Sequence, residues 1–186
     1  MCYYIIHSKK SVPGVCPGAV RPEDNMRYEL KTEFDDVLVA DGAMITGDVT
    51  IGPMSSVWYN AVIRGDEGPI EIGRETSIQD CAVIHYVTKI GDHCTVGHGA
   101  IVHGCTIGNN VLVGMGAKIL TGARIGNNCL IGAGALVTGK MNAPDGSFIL
   151  GSPARIVREC TPQEIESITL QGDEYVELTK RWLDKE

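Results

Sequence analysis

An aliphatic residue that returns every six positions constrains the fold of this 186-residue chain more than any other feature. Val39, Ile45, Ile51, Val57 and Ile63 open the series. Ile72, Ile78, Ile84, Ile90, Val96 and Val102 continue it, and Ile107, Val113, Ile119, Ile125, Ile131 and Val137 complete it. The register slips twice, around Pro69 and between Val102 and Ile107. Glycine often follows the aliphatic residue directly (Gly73, Gly91, Gly108, Gly114), and a small residue often sits four places on (Ala61, Thr76, Ala82, Ala100). A period of six matches neither the 3.6 of a helix nor the 2 of a flat strand. It matches a coil of three short strands, about 18 residues per turn, with each aliphatic side chain pointing into a triangular prism. Successive coils stack about 4.8 Å apart and hydrogen-bond to one another. The small residue fits the tight corner, and glycine is expected to supply backbone freedom where strands turn. The expected fold is mainly β, a parallel β-helix of hexapeptide repeats.

Composition agrees, since 23 glycines and a 5% aromatic share leave a core of small and branched aliphatic side chains. A net charge of −7 without a dense basic run speaks against nucleic acid or an anionic membrane surface as partner. No apolar run approaches the roughly 18 residues of a membrane span. Seven cysteines, an odd number without a C-x-x-C pair, support neither a disulfide framework nor a zinc ribbon. They read as reduced, mostly buried thiols in a cytoplasmic protein. Three units are expected: an N-terminal extension at 1–25 without repeat, the β-helix at 26–157 and a C-terminal helical segment at 158–186. Thr161-Pro162-Gln163-Glu164 carries the cap, the first-turn proline and the capping-box glutamate of a helix start. Ile165 and Ile168 share one face of that helix; Gly172 is expected to break it, and Tyr175, Leu178 and Trp182 form a second stripe. Both stripes are expected to pack on the outside of the coil.

Of five histidines, His7 lies in the leader, and His93 follows Asp92 at a corner where solvation is the plain expectation. The other three are informative. His85 follows the inward Ile84, and His103 follows the inward Val102 one full coil later. Stacking puts them in one column about one strand spacing apart, where two imidazoles can share a metal ion. His98 lies two places after Val96 and therefore on a different face. Three prisms around a threefold axis would bring that face against the His85/His103 face of a neighbour, which gives a homotrimer with intersubunit metal sites. The alternative is that these histidines merely hydrogen-bond across an interface. Polar neighbours favour the metal. Arg64 precedes His85 in the same column with Asp66 close by, and Asp80, beside Gln79, lies one full coil before His98. Such groups orient ligands.

The segments Ala61-Val62-Ile63-Arg64-Gly65-Asp66, Ile78-Gln79-Asp80 and Val96-Gly97-His98-Gly99-Ala100-Ile101-Val102-His103-Gly104-Cys105 resemble the γ-class carbonic anhydrases. Gly151-Ser152-Pro153-Ala154-Arg155 resembles that family's exit from the coil. The resemblance spans about residues 30–183. It implies a left-handed β-helix, a homotrimer, and Zn2+, Fe2+ or Co2+ held across the trimer interface by His85, His98 and His103. It implies that Arg64, Asp66 and Asp80 tie subunits together and order the site, and that Gln79 stands beside the metal-bound water. Glu67 matches a second acidic position, and Tyr175 matches a C-terminal active-site tyrosine. The implied reaction is reversible hydration of CO2 to bicarbonate by a metal-bound hydroxide.

Two departures bear on efficiency. Ser77 stands where the family's best-known active member has asparagine, and Tyr86-Val87-Thr88-Lys89 leaves no room for that member's acidic proton-shuttle loop. Proton transfer is therefore expected to limit turnover. The competing readings are a hexapeptide-repeat acyltransferase, a CoA-thioester hydrolase, and a non-catalytic trimeric scaffold.

Overall fold

The computed structural model describes residues 34–184. The expected extension at 1–25, with His7, Cys2 and Cys16, lies outside the described residues. From Leu38 onward the chain winds as a parallel β-helix with three faces. Face one stacks the strands Leu38–Val39, Ser56–Val57, Ser77–Ile78, Thr95–Val96, Leu112–Val113, Leu130–Ile131 and Ser147–Gly151. It is closed by Ala154–Glu159, which runs antiparallel. Face two carries Val83–His85, Ile101–His103, Lys118–Ile119 and Leu136–Val137, and face three carries Thr88–Ile90, Thr106–Ile107, Arg124–Ile125 and Asn142–Ala143. The longer strands Met44–Ile51 and Val62–Ile72 run through the corner and pair on both of these faces.

The register sets like on like. Ile63 pairs with Ile84, Ile84 with Val102, Val102 with Ile119 and Ile119 with Val137. All five are fully buried, and complete burial of one such side chain stabilises the fold by about 1.5–3 kcal/mol. Alanines such as Ala61, Ala82 and Ala100 are equally buried at the corners.

The glycines require a correction. Those that follow the aliphatic residue do not have left-handed backbone. They are small because the next coil lies against them: a Cβ on Gly114 would stand 2.5 Å from the backbone nitrogen of Ala133, and one on Gly108 2.7 Å from Asn127 Oδ1. The left-handed residues are instead often the third after the aliphatic, including Asn60 (φ 57°), Cys81 (58°), Asn110 (53°) and Asn128 (54°), and after Ile45, Ile84 and Val102 the second, at Gly47, Tyr86 and Gly104. Asparagine tolerates that region better than most side chains.

The C-terminal helix runs unbroken over Pro162–Leu183 behind a complete capping box of Thr161 and Glu164. The expected break at Gly172 is absent. Gly172 is buried because the helix passes over His93 there, and a Cβ would meet the imidazole. His93 is correspondingly covered, with 18% of its side chain exposed, and is not a solvated corner residue. The helix packs along face one, with contacts to its strands from Leu38–Val39 to Leu130–Ile131. Ile168 and Thr179 are its most buried larger side chains, and Trp182, expected in the stripe, keeps 41% of its surface exposed. The strand Ala154–Glu159 runs across the expected boundary at 157/158.

Candidate metal centre

Three consecutive coils of face two place Arg64, His85 and His103 in one column, Arg64 paired with His85 and His85 with His103. Each follows a fully buried aliphatic residue, so strand alternation turns it outward. His85 Nδ1 lies 3.2 Å from His103 Nε2. The two rings hydrogen-bond across this gap, and the separation is also close to the roughly 3.3–3.4 Å between two nitrogens bound to one tetrahedral ion at about 2.0–2.1 Å. Their other nitrogens are occupied. His103 Nδ1 lies 2.8 Å from Thr121 Oγ1. His85 Nε2 lies 2.8 Å from Arg64 Nη2 and 3.2 Å from Asp66 Oδ1. Arg64 Nε pairs in turn with that Asp66 oxygen at 3.1 Å. Burial, helped by the neighbouring His85, pushes the His103 pKa down, which favours the neutral ring that a metal needs.

Among the described residues, Asp66, Glu67 and His85 form the one trio of ligand-type side chains whose atoms converge within 4.8 Å. His98 is not drawn into it. It lies in the corner after the face-one strand Thr95–Val96, next to Gly99 in left-handed backbone (φ 65°). His98 Nδ1 lies 2.8 Å from Asp80 Oδ2, as their offset of one full coil requires. With Nδ1–H donated to that carboxylate, Nε2 keeps the lone pair. The His98 side chain is 48% exposed. Its backbone N–H donates to Gln79 Oε1 at 3.2 Å. Gln79 is buried, and it also hydrogen-bonds Tyr175. Burial pushes the Tyr175 pKa up, and Asp80 and Glu174 push it further. The helix thus sets the register of Tyr175, bringing it to the Gln79–Asp80–His98 group. A groove of about 360 Å³ between face one and the helix is lined by Gln79, His98, Leu112, Leu130, Phe148 and Tyr175.

The candidate residues therefore fall into two groups. Arg64, Asp66, Glu67, His85 and His103 are on face two; Gln79, Asp80, His98 and Tyr175 are on or over face one. Sequence reasoning missed Thr121, although it lies one full coil after His103 and the column rule reaches it. It also missed Tyr86, whose ring stacks parallel to His103 at 5.5 Å between centroids, and Trp58, which meets Tyr175 edge-on at 5.9 Å. Neither aromatic carries a spacing signal.

The coil defines the class of protein first. Residues 104–139 match the family described as "Bacterial transferase hexapeptide (six repeats)". A crystal structure of a hexapeptide transferase family protein from Anaplasma phagocytophilum superposes with a TM-score of 0.77 at 38% identity, covering 80% of this chain and 90% of that one. Relatives in sequence then narrow the class. A protein named "Probable carbonic anhydrase" from Methanocaldococcus jannaschii is 56% identical over 149 residues, 78% of this chain and 94% of the relative. "Gamma carbonic anhydrase 2, mitochondrial" from Arabidopsis thaliana is 39% identical over 155 residues, 78% of this chain and 56% of that longer protein. The chain belongs to the γ-class carbonic anhydrase family, an enzyme family of the lyase class.

Proposed function

We propose that this protein hydrates CO2 reversibly to bicarbonate as a homotrimer with a divalent metal at each subunit boundary. One observation carries the reading: on face two, His85 Nδ1 and His103 Nε2 stand 3.2 Å apart, whereas the third histidine offers its free nitrogen from another face. A second copy of the chain completes a three-nitrogen site that one copy cannot. His85 and His103 would come from one subunit and His98 from its neighbour, with Zn2+ as the expected ion and Fe2+ or Co2+ as chemical equivalents. When bound, the ion supplies Lewis acidity that makes a water nucleophilic near neutral pH.

The chain's own groups do the rest. Thr121 on His103, and Asp80 on His98, occupy the second ring nitrogen and leave the first for the metal. His85 Nε2 has the Arg64 donor at 2.8 Å and the Asp66 oxygen at 3.2 Å, so ligation through Nδ1 requires Nε2–H to turn to Asp66, which Arg64 Nε holds at 3.1 Å. Gln79 and Tyr175 place a buried amide and a phenol beside His98, where they can hold a polar substrate oxygen. Glu67, exposed beside His85 and Asp66, is an acid within reach for the outgoing proton. Carbonic anhydrase names among the relatives set this reading above acyl transfer, thioester hydrolysis and a scaffold role. Among the described residues no helix is long and apolar enough to cross a membrane. Unpaired Cys94, Cys105 and Cys129, all buried, suit a reducing compartment such as the cytoplasm.

Metal analysis of untagged protein, sedimentation and stopped-flow CO2 hydration test the proposal together. The expected result is a trimer with stoichiometric metal and a rate that rises with buffer concentration, buffer serving in place of a shuttle loop. A stable monomer at micromolar concentration, or no rate above the uncatalysed reaction with metal bound, would refute it.

A further inference from the structure

The hydrase reading leaves His93 without a role. It occupies the corner between faces three and one, with φ of 55°, beneath the C-terminal helix. Its Nε2 lies 3.2 Å from the Thr169 carbonyl oxygen and 3.5 Å from Asp173 Oδ1. Its Nδ1 is buried without a hydrogen-bond partner, and Glu75 Oε2, from the same corner one coil earlier, stands 3.8 Å away. The ring lies so close to the helix that a Cβ on Gly172 would sit 2.8 Å from Nε2. Glycine is the poorest residue short of proline for a helix interior, and here it makes room for an imidazole.

A neutral ring cannot satisfy this cage. Nε2–H donates to the Thr169 carbonyl, so Nδ1 presents a bare lone pair to a carboxylate. Protonation adds an N–H there, turns the Glu75 contact into an ion pair and strengthens the one to Asp173. The remaining charges agree. Lys180 on the helix pairs with Glu177 at 2.7 Å and acts on Glu75 and Asp173 only at longer range, while Arg74 and Asp92 pair with each other at the rim. With Lys180 engaged by Glu177, the Glu75 and Asp173 carboxylates leave the cage short of positive charge, and an imidazolium supplies it.

Gly172 and Tyr175 are three residues, about one helical turn, apart. We propose that His93 is a positioning residue, a protonation-dependent latch that sets how closely the helix holds Tyr175 against Gln79 and Asp80. Only its consequence for catalysis rests on the proposed hydrase site.

Trp58, edge-on to Tyr175, reports the position of that ring. The chain has two tryptophans, so Trp182→Phe leaves Trp58 as the sole emitter. Metal-loaded, full-length Trp182→Phe protein, titrated from about pH 5.5 to about 8.5, is expected to show a step in Trp58 emission. His93→Gln keeps an amide N–H for Thr169 but cannot titrate. In the same background it should abolish the step, with circular dichroism, trimer and metal content unchanged. It should also flatten the matching limb of the pH–kcat profile. Glu75→Gln, which weakens the acceptor, should move the step to lower pH. A step that survives His93→Gln, an unmoved midpoint in Glu75→Gln, or no step at all overturns the latch. A vanished step with an unaltered pH–kcat profile overturns the positioning role. Absence of CO2 hydration in every variant strikes the hydrase reading instead and leaves the emission result standing.

Discussion

Replacing Asp80 tests how the face-one histidine is held. Its Oδ2 lies 2.8 Å from His98 Nδ1, the distance of a charge-assisted hydrogen bond. Without it, the imidazole loses its fixed orientation and its tautomer preference, and Nε2 is no longer the only nitrogen with a lone pair. Partners of this kind typically carry about 10–100-fold in metal affinity. The two side chains are 48% and 38% exposed, so water screens the contact and can replace the carboxylate in part. That places Asp80→Ala toward the lower end, about tenfold or about 1.4 kcal/mol. Asp80→Asn keeps an acceptor oxygen and should lose only a few-fold, while His98→Ala, which removes the ligand itself, should lose more than either. Competition between the protein and a colorimetric chelator for Zn2+ measures the series, with sedimentation checking that each variant keeps the wild-type assembly state. Wild-type affinity in Asp80→Ala, with that assembly state kept, would refute the idea that this carboxylate sets His98 as a ligand.

Two further predictions concern the scaffold. Gly114→Ala should cost about 2–4 kcal/mol, combining overpacking with strain on a coil-to-coil hydrogen bond, because its Cβ would meet only backbone, 2.5–2.7 Å away on the next coil. Gly134→Asn should be near neutral in urea unfolding at fixed protein concentration, because φ there is 67° and nothing lies within 4 Å of a Cβ; equal costs for the two would refute the division between spacing and turning glycines. The bidentate Arg158 contacts at 2.6 and 2.7 Å, with the Thr161 backbone N–H, push the Glu164 pKa down to about 2. A depressed carboxyl contributes its stability above the unfolded pKa and loses it as pH falls through the folded one. The stability gap between wild type and Glu164→Gln should therefore be constant above about pH 5, narrow on acidification and close near about pH 2, as read by urea midpoints across pH.

Sequence periodicity made the coil legible because one physical demand, an aliphatic side chain in a prism, repeats at every strand. The same arithmetic reached Arg64, His85 and His103 as a column, and Asp80 beneath His98. It failed where contacts leave the coil. Whether Gly172 breaks a helix or seats one over His93 depends on what lies beneath it, and no local pattern carries that. Tyr175 sits on the helix, so its meeting with Gln79 follows from docking and not from period. The glycines after each aliphatic residue were visible, but their reason was not. A small residue for turning and a small residue for close approach are spelled alike, and only the distances to the next coil separate them.

The two slips in the repeat fall at one corner, and that placement bears on how a site can be built on such a coil. Face-one strands keep a constant interval along the chain with two exceptions: Ser56 and Ser77 stand further apart, and Thr95 and Leu112 stand closer. The extra residues of the long coil lie after Ile63 and the missing one of the short coil after Val102, both at the corner between faces two and three. Arg64, His85 and His103 each stand at the entrance to that corner. In the middle coil, with no slip, the backbone still departs from the rule: Tyr86, directly after His85, takes the left-handed conformation (φ 63°) two places after its aliphatic residue instead of three. Bulky residues rarely adopt that region. Faces one and two must keep strict register, since any shift would turn Arg64, His85 and His103 away from one another. The variation in coil length is taken up just beyond the Arg64–His85–His103 column. The ladder that holds the column stays regular while the loops beside it, including Glu67 and Tyr86, are free to differ from coil to coil. Coil length can therefore change at this corner without moving Arg64, His85 and His103 out of their column.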